Sequence, residues 1–170
     1  MWFRSQFFEH EGFAQADFEA HLRRARWVLE RLSFEETHFS NWLLKGATEE
    51  MARLFPVYDS HGAVSKVALQ VLQERYREKQ DKPKVFGIWN GRLGSDLGAS
   101  LALAIDGGPL SEEFDLDIGD DSIVPERLGP AASIAEIVAV IARAYTPAYV
   151  MAGSHAYHRR AVFRDPPGVN

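Results

Sequence analysis

Lys84-Val85-Phe86-Gly87-Ile88-Trp89-Asn90-Gly91 is the stretch that decides the fold. Lys84 to Trp89 combines β-branched and aromatic side chains, which fit a pleated, half-buried surface. Asn90-Gly91 follows, a pair that tolerates positive φ and suits a connection between antiparallel strands. Gly94, Ser95 and Asp96 are also loop formers, so the connection is expected to run on to about Asp96. The next strand then spans Leu97 to Asp106, where Leu101, Leu103 and Ile105 alternate with Ala102, Ala104 and Asp106. After the Gly107-Gly108-Pro109 turn, Phe114, Leu116 and Ile118 alternate with Asp115 and Asp117, the pattern of a strand with one dry and one wet face.

On the N-terminal side the aromatic run Trp2 to Phe8 reads as a strand. A helix is expected from about Ala14 to Leu32, with Phe18, Leu22, Ala25, Leu29 and Leu32 on one face. Ser33 and Glu36 have capping-box spacing and predict a second helix to about Leu44, with Phe39, Trp42 and Leu43 inward. Thr48 to Leu54 predicts a short third helix, and His61 to Lys79 a longer one buried through Val64, Val67, Ala68, Val71, Leu72 and Tyr76. On the C-terminal side Ser133 and Glu136 repeat the capping spacing and open a helix to about Tyr145. Ala148 to Ala152 reads as a final strand or extended segment, and about 153–170 as an irregular tail. The halves on either side of Lys79 to Lys84 are each too small to bury a good core alone, so 1–170 is read as one domain. The fold class is α+β: an antiparallel meander packed with several α-helices.

Composition narrows the function. With 46% hydrophobic and 25% charged residues, the chain has the makeup of a globular protein with a real core. It has no cysteine, which removes disulfides, thiolate nucleophiles and cysteine metal sites. Glu9 and Glu11 interrupt the N-terminal apolar run too early for a signal peptide, and no run reaches the roughly 20 residues of a membrane span. A cytoplasmic location is expected. The net charge of -5 disfavours a nucleic-acid binder. No Lys or Arg occurs between Arg92 and Arg127, while Asp96, Glu112, Glu113, Asp115, Asp117, Asp120 and Asp121 fall in that stretch.

Catalytic patterns are weak. His155 and His158, three apart with Asp165 nearby, have a spacing that would serve a metal, and a small metal-dependent hydrolase is the alternative reading. Against it, such a pair without a sharper motif is usually a surface coincidence. From Asp115 a calcium loop would place its glutamate at Glu126, but Gly119 is fifth rather than sixth and the intermediate ligands are wrong. No nucleophile-elbow, Walker or dinucleotide pattern occurs, so no catalytic residue, metal or cofactor is assigned. Trp89 and the Arg92 to Leu97 loop suit a binding surface instead, because Trp and Arg are over-represented at interface hot spots.

Phe39-Ser40-Asn41-Trp42-Leu43-Leu44-Lys45-Gly46 precedes Gly87-Ile88-Trp89-Asn90-Gly91 and the small-residue strand Gly98-Ala99-Ser100-Leu101-Ala102-Leu103. In that order, after an N-terminal strand and a long helix, the chain resembles the bacterial immunity protein 52 family from about Trp2 to Tyr149. The family pattern carries a further strand after the Tyr149 region, and Pro166-Pro167-Gly168-Val169-Asn170 does not read as one. The resemblance implies a protein inhibitor rather than an enzyme. Its partner would be a cognate nuclease effector of a type VI secretion system, with a toxin domain of restriction-endonuclease type. Neither nucleic acid nor membrane would be bound directly. A DNA-cleaving toxin is expected to carry a basic cleft, so Glu112, Glu113, Asp115, Asp117, Asp120 and Asp121, with Trp89, Arg92 and Asp96, become the candidate toxin-binding residues. A solvated acidic edge explains the same acids without a partner. Inhibition would follow from covering the cleft or from blocking the toxin's assembly.

Overall fold

Alternation along the strands is what organises the molecule. The computed structural model describes residues 1–8, 17–35, 39–46, 48–79, 82–92, 97–105, 111–119 and 131–154. The elements are β1 (Trp2–Phe7), α1 (Phe18–Glu35), β2 (Leu43–Leu44), α2 (Glu49–Arg53), α3 (Lys66–Tyr76), β3 (Lys84–Trp89), β4 (Ala99–Ile105), β5 (Glu112–Ile118), α4 (Ala131–Tyr145) and β6 (Tyr149–Gly153). All strands join one antiparallel six-stranded sheet in the order β2-β3-β4-β5-β1-β6. The expected meander β3-β4-β5 is its centre, and the chain forms a single α+β domain. β1 lies between β5 and β6, so the N-terminal strand is interior; the Met1 ammonium donates to the Ile118 carbonyl at 2.7 Å.

One face of the sheet is dry. Phe3 and Phe7, Phe86 and Ile88, Leu101, Leu103 and Ile105, and Phe114, Leu116 and Ile118 are buried there. Phe18, Leu22, Ala25, Leu29 and Leu32 of α1, Ala68 and Leu72 of α3, and Ile137, Ile141 and Tyr145 of α4 complete the same cluster. The Tyr145 ring lies 4.8 Å from Phe7 and 4.9 Å from Phe114, tilted against both. Full burial of each large apolar side chain is worth roughly 1.5–3 kcal/mol, so this two-layer contact is the main source of stability.

Three sequence expectations fail locally. The helix expected from Ser33 to Leu44 does not form: α1 itself runs through Glu35, so Ser33 lies inside a helix already under way, and Leu43–Leu44 is a strand. Leu43 and Leu44 pair with Trp89 and Ile88, a partner more than forty positions away that local periodicity cannot reveal. Phe39 and Trp42 are nevertheless buried as expected, and the Trp42 indole donates to the Phe39 carbonyl at 2.7 Å. The helix expected from His61 starts at Lys66 instead. Before it, Asp59 Oδ1 accepts from the His61 and Ala63 amides, both at 2.9 Å, and Gly62 takes φ 77° in the resulting turn. Ser133 is no cap either. It is buried in the first turn of α4, and Glu136 accepts instead from Arg31 of α1, with contacts of 2.5 and 2.9 Å. Thr48 does cap α2, accepting from the Met51 amide. Among the described residues, no helix is long and apolar enough to cross a membrane.

Candidate functional site

Among the described residues, α1, α3 and α4 all pack into the cluster on the first face of the sheet and leave the second open. Strand register fixes what the open face presents. Reading across the strands, one row is Leu43, Trp89, Ser100, Asp117, Trp2 and Gly153. The next is Gly87, Ala102, Asp115, Arg4 and Met151, and the third is Val85, Ala104, Glu113, Gln6 and Tyr149. Small residues at Gly87, Ala102 and Ala104 make the middle low. Large ones stand on either side: Val85, Tyr149 and Met151 are 58%, 39% and 42% exposed. The Lys45 side chain crosses Gly87, where an added Cβ would sit 2.9 Å from its Cδ, and the Trp2 ring covers Gly153 in the same manner at 2.4 Å.

The electrostatics differ from a plain acidic surface. Arg4 donates to Asp115 through Nε at 3.1 Å and Nη2 at 2.8 Å, and Gln6 donates to Glu113 at 3.4 Å. Asp117 shares a recess of about 320 Å³ with Lys45, Trp89, Arg92 and Ser100. Glu113, Asp115 and Asp117 are therefore balanced in number by Arg4, Lys45 and Arg92. The pattern is an acidic stripe on β5 with cations on both flanks.

Asn90 lies in the chain between Trp89 and Arg92, two residues that line that recess. It is buried, its Nδ2 donates to the Leu97 carbonyl at 2.8 Å, and its Oδ1 accepts from the Arg92 and Ala99 amides at 3.3 and 3.0 Å. One side chain thus ties both ends of the β3–β4 connection, while Gly91 takes φ 70° beside it. The sequence reads Asn90 as a turn former; its buried side chain does more, holding Arg92 next to Trp89.

The candidate residues fall into three groups. Trp89, Arg92, Glu113, Asp115 and Asp117 come together on or beside the open face. Glu112 does not: it alternates onto the dry face and is 2% exposed, so it is no part of the acidic stripe. Asp96, Asp120 and Asp121 lie outside the described residues, as do His155, His158 and the tail beyond Ser154. Lys45, Ser100, Arg4, Trp2, Val85, Tyr149 and Met151 join the face without having been singled out by the sequence. Alternation would place each on a face, but which strands are neighbours decides whether they meet.

A larger recess, about 430 Å³, lies by the turn preceding α3 and includes Arg26, Glu30, Tyr58, Asp59 and His61. Several of its polar groups serve the structure. Arg26 pairs with Glu30 at 2.6 Å, and the Tyr58 hydroxyl donates to the Leu22 carbonyl at 2.8 Å. Burial pushes the Tyr58 phenol far above its ordinary range, with Arg26 opposing and Glu30 adding to the shift. Among the described residues no group of three or more His, Asp or Glu side chains is placed to hold a metal ion.

No protein-family model matches the chain, and no curated protein matches it. The functional reading therefore stands on the residues of the face and on the sequence resemblance.

Proposed function

We propose that the chain is an immunity protein that binds and neutralises a cognate antibacterial nuclease of a type VI secretion system, in the cytoplasm of the cell that makes both. The open sheet face is the docking surface. One observation carries this reading: among the described residues, α1, α3 and α4 all leave the second face of the six-stranded sheet uncovered, and it combines charge stripes with flanking aromatic and aliphatic side chains. Five strands of five to seven residues and the two-residue β2, spaced about 4.8 Å with about 3.3 Å rise per residue, give a footprint on the order of 500 Å². A standard interface takes about 800 Å² from each partner, and the face supplies most of one.

The mixed charge favours a protein partner over a nucleic acid, whose phosphates would meet Glu113 and Asp115 unfavourably. Low central residues admit a raised element of the partner, and the exposed Tyr149 and Met151 supply apolar anchors. Neutralisation follows if the bound face of the toxin is its substrate cleft, since covering it excludes DNA.

The test is co-expression with the nuclease toxin encoded beside its gene. The purified pair is expected to co-elute, and toxin cleavage of plasmid DNA is expected to stop at equimolar inhibitor. A toxin that neither binds nor slows would refute the proposal.

A further inference from the structure

The recess beside Asn90 holds more donors than its surroundings use. Trp89 lines it, and its indole Nε1 is itself fully buried, with no hydrogen-bond partner among the described residues. Lys45 and Arg92 line the same recess, and among the described residues neither side chain forms an ion pair. Among the described lining residues Asp117 is the one anion, against the two cations Lys45 and Arg92.

We infer that this recess receives an acidic side chain of the bound polypeptide. Its carboxylate pairs with Lys45 and Arg92, and Ser100 offers a further hydroxyl. The contact deepens the docking reading above, on which its choice of ligand source rests. It gives the face a polarity that the acidic stripe lacks. The partner must bring a carboxylate to the β3 end of the row and a basic surface to Glu113 and Asp115, so reversed or shifted docking sets like charges against each other. A volume of about 320 Å³ accommodates an aspartate or glutamate side chain with room for its neighbours in the partner.

The recess can be tested without the toxin. The Trp89 indole N–H resonance, assigned with Trp89→Phe, is followed during titration with a capped tripeptide bearing a central aspartate. Its asparagine counterpart and inorganic phosphate serve as the other arms. A saturable shift with the aspartate peptide alone is expected, weakened about tenfold by Lys45→Met or Arg92→Met, as for loss of one charge-assisted contact. Asp117→Asn should tighten binding, an effect that mere damage to the fold would not produce. No saturable shift, equal response to the asparagine peptide, or saturation by phosphate alone would overturn the inference. With the toxin itself, unchanged affinity in Lys45→Met and Arg92→Met would also overturn it while leaving the docking proposal standing. Failure of the wild-type protein to bind toxin would refute that proposal and leave the peptide titration to judge the recess.

Discussion

Asn90→Ala is the most informative single truncation. The side chain makes three hydrogen bonds, to the Leu97 carbonyl and from the Arg92 and Ala99 amides, and is only 3% exposed. Each is worth about 0.5–1.5 kcal/mol net, and the Ala99 amide would be left buried without an acceptor, so the total loss should be about 2–4 kcal/mol. Against a domain stability of about 5–15 kcal/mol this is a large fraction, readable as a lower urea midpoint with an unchanged slope. Asn90→Asp separates the two halves of the contact. Its carboxylate keeps the acceptor for the Ala99 amide but sets an oxygen against the Leu97 carbonyl. It should be destabilised at neutral pH and recover as acid protonates the new group and restores a donor. A loss below about 0.5 kcal/mol for Asn90→Ala, within the usual range for a plain surface change, would refute the claim that this side chain closes the β3–β4 connection.

Other outcomes follow from the same geometry. Phe114→Ala removes a fully buried ring packed on Tyr145 and should cost about 3–5 kcal/mol by urea denaturation. Gly153→Val would set a Cβ 2.4 Å from the Trp2 ring, so Trp2 must leave its place; a changed Trp2 indole resonance and about 1–3 kcal/mol of destabilisation are expected. The Arg4–Asp115 pair is about half exposed, and a double-mutant cycle should give no more than about 1 kcal/mol, falling with salt. Because burial raises the folded-state pKa of Tyr58, the stability it contributes is intact below the unfolded tyrosine's value of about 10 and is lost as pH rises beyond it. Tyr58→Phe should flatten that alkaline decline.

The central meander was legible because Phe114, Leu116 and Ile118 alternate with acids, and because β3 and β4 carry their own turn. What escaped the sequence depends on distant partners. Leu43 and Leu44 are a strand only because Trp89 and Ile88 lie beside them. Ser33-to-Glu36 and Ser133-to-Glu136 carry capping spacing, yet helix packing draws Glu136 to Arg31 instead. The acidic stretch was visible, but its division was not. A period of two sends Glu112 to the dry face and Glu113 to the open one, and the register that sets Arg4 beside Asp115 comes from a strand over a hundred positions away. Trp89 and Arg92 were readable as a pair because Asn90-Gly91 separates them; Lys45 was not, since it reaches them only across the β2–β3 contact.

Ala102→Arg tests the docking claim most directly. Ala102 sits between Gly87 and Asp115 in the middle of the open face, with its neighbours Leu101 and Leu103 turned into the core. A long charged side chain there leaves the dry layer untouched but stands where a partner must seat. The account predicts near-native urea stability, loss of toxin binding by at least about tenfold, equivalent to about 1.4 kcal/mol, and loss of protection in the nuclease assay. A stable Ala102→Arg protein that still binds and silences the toxin like the wild type would contradict it.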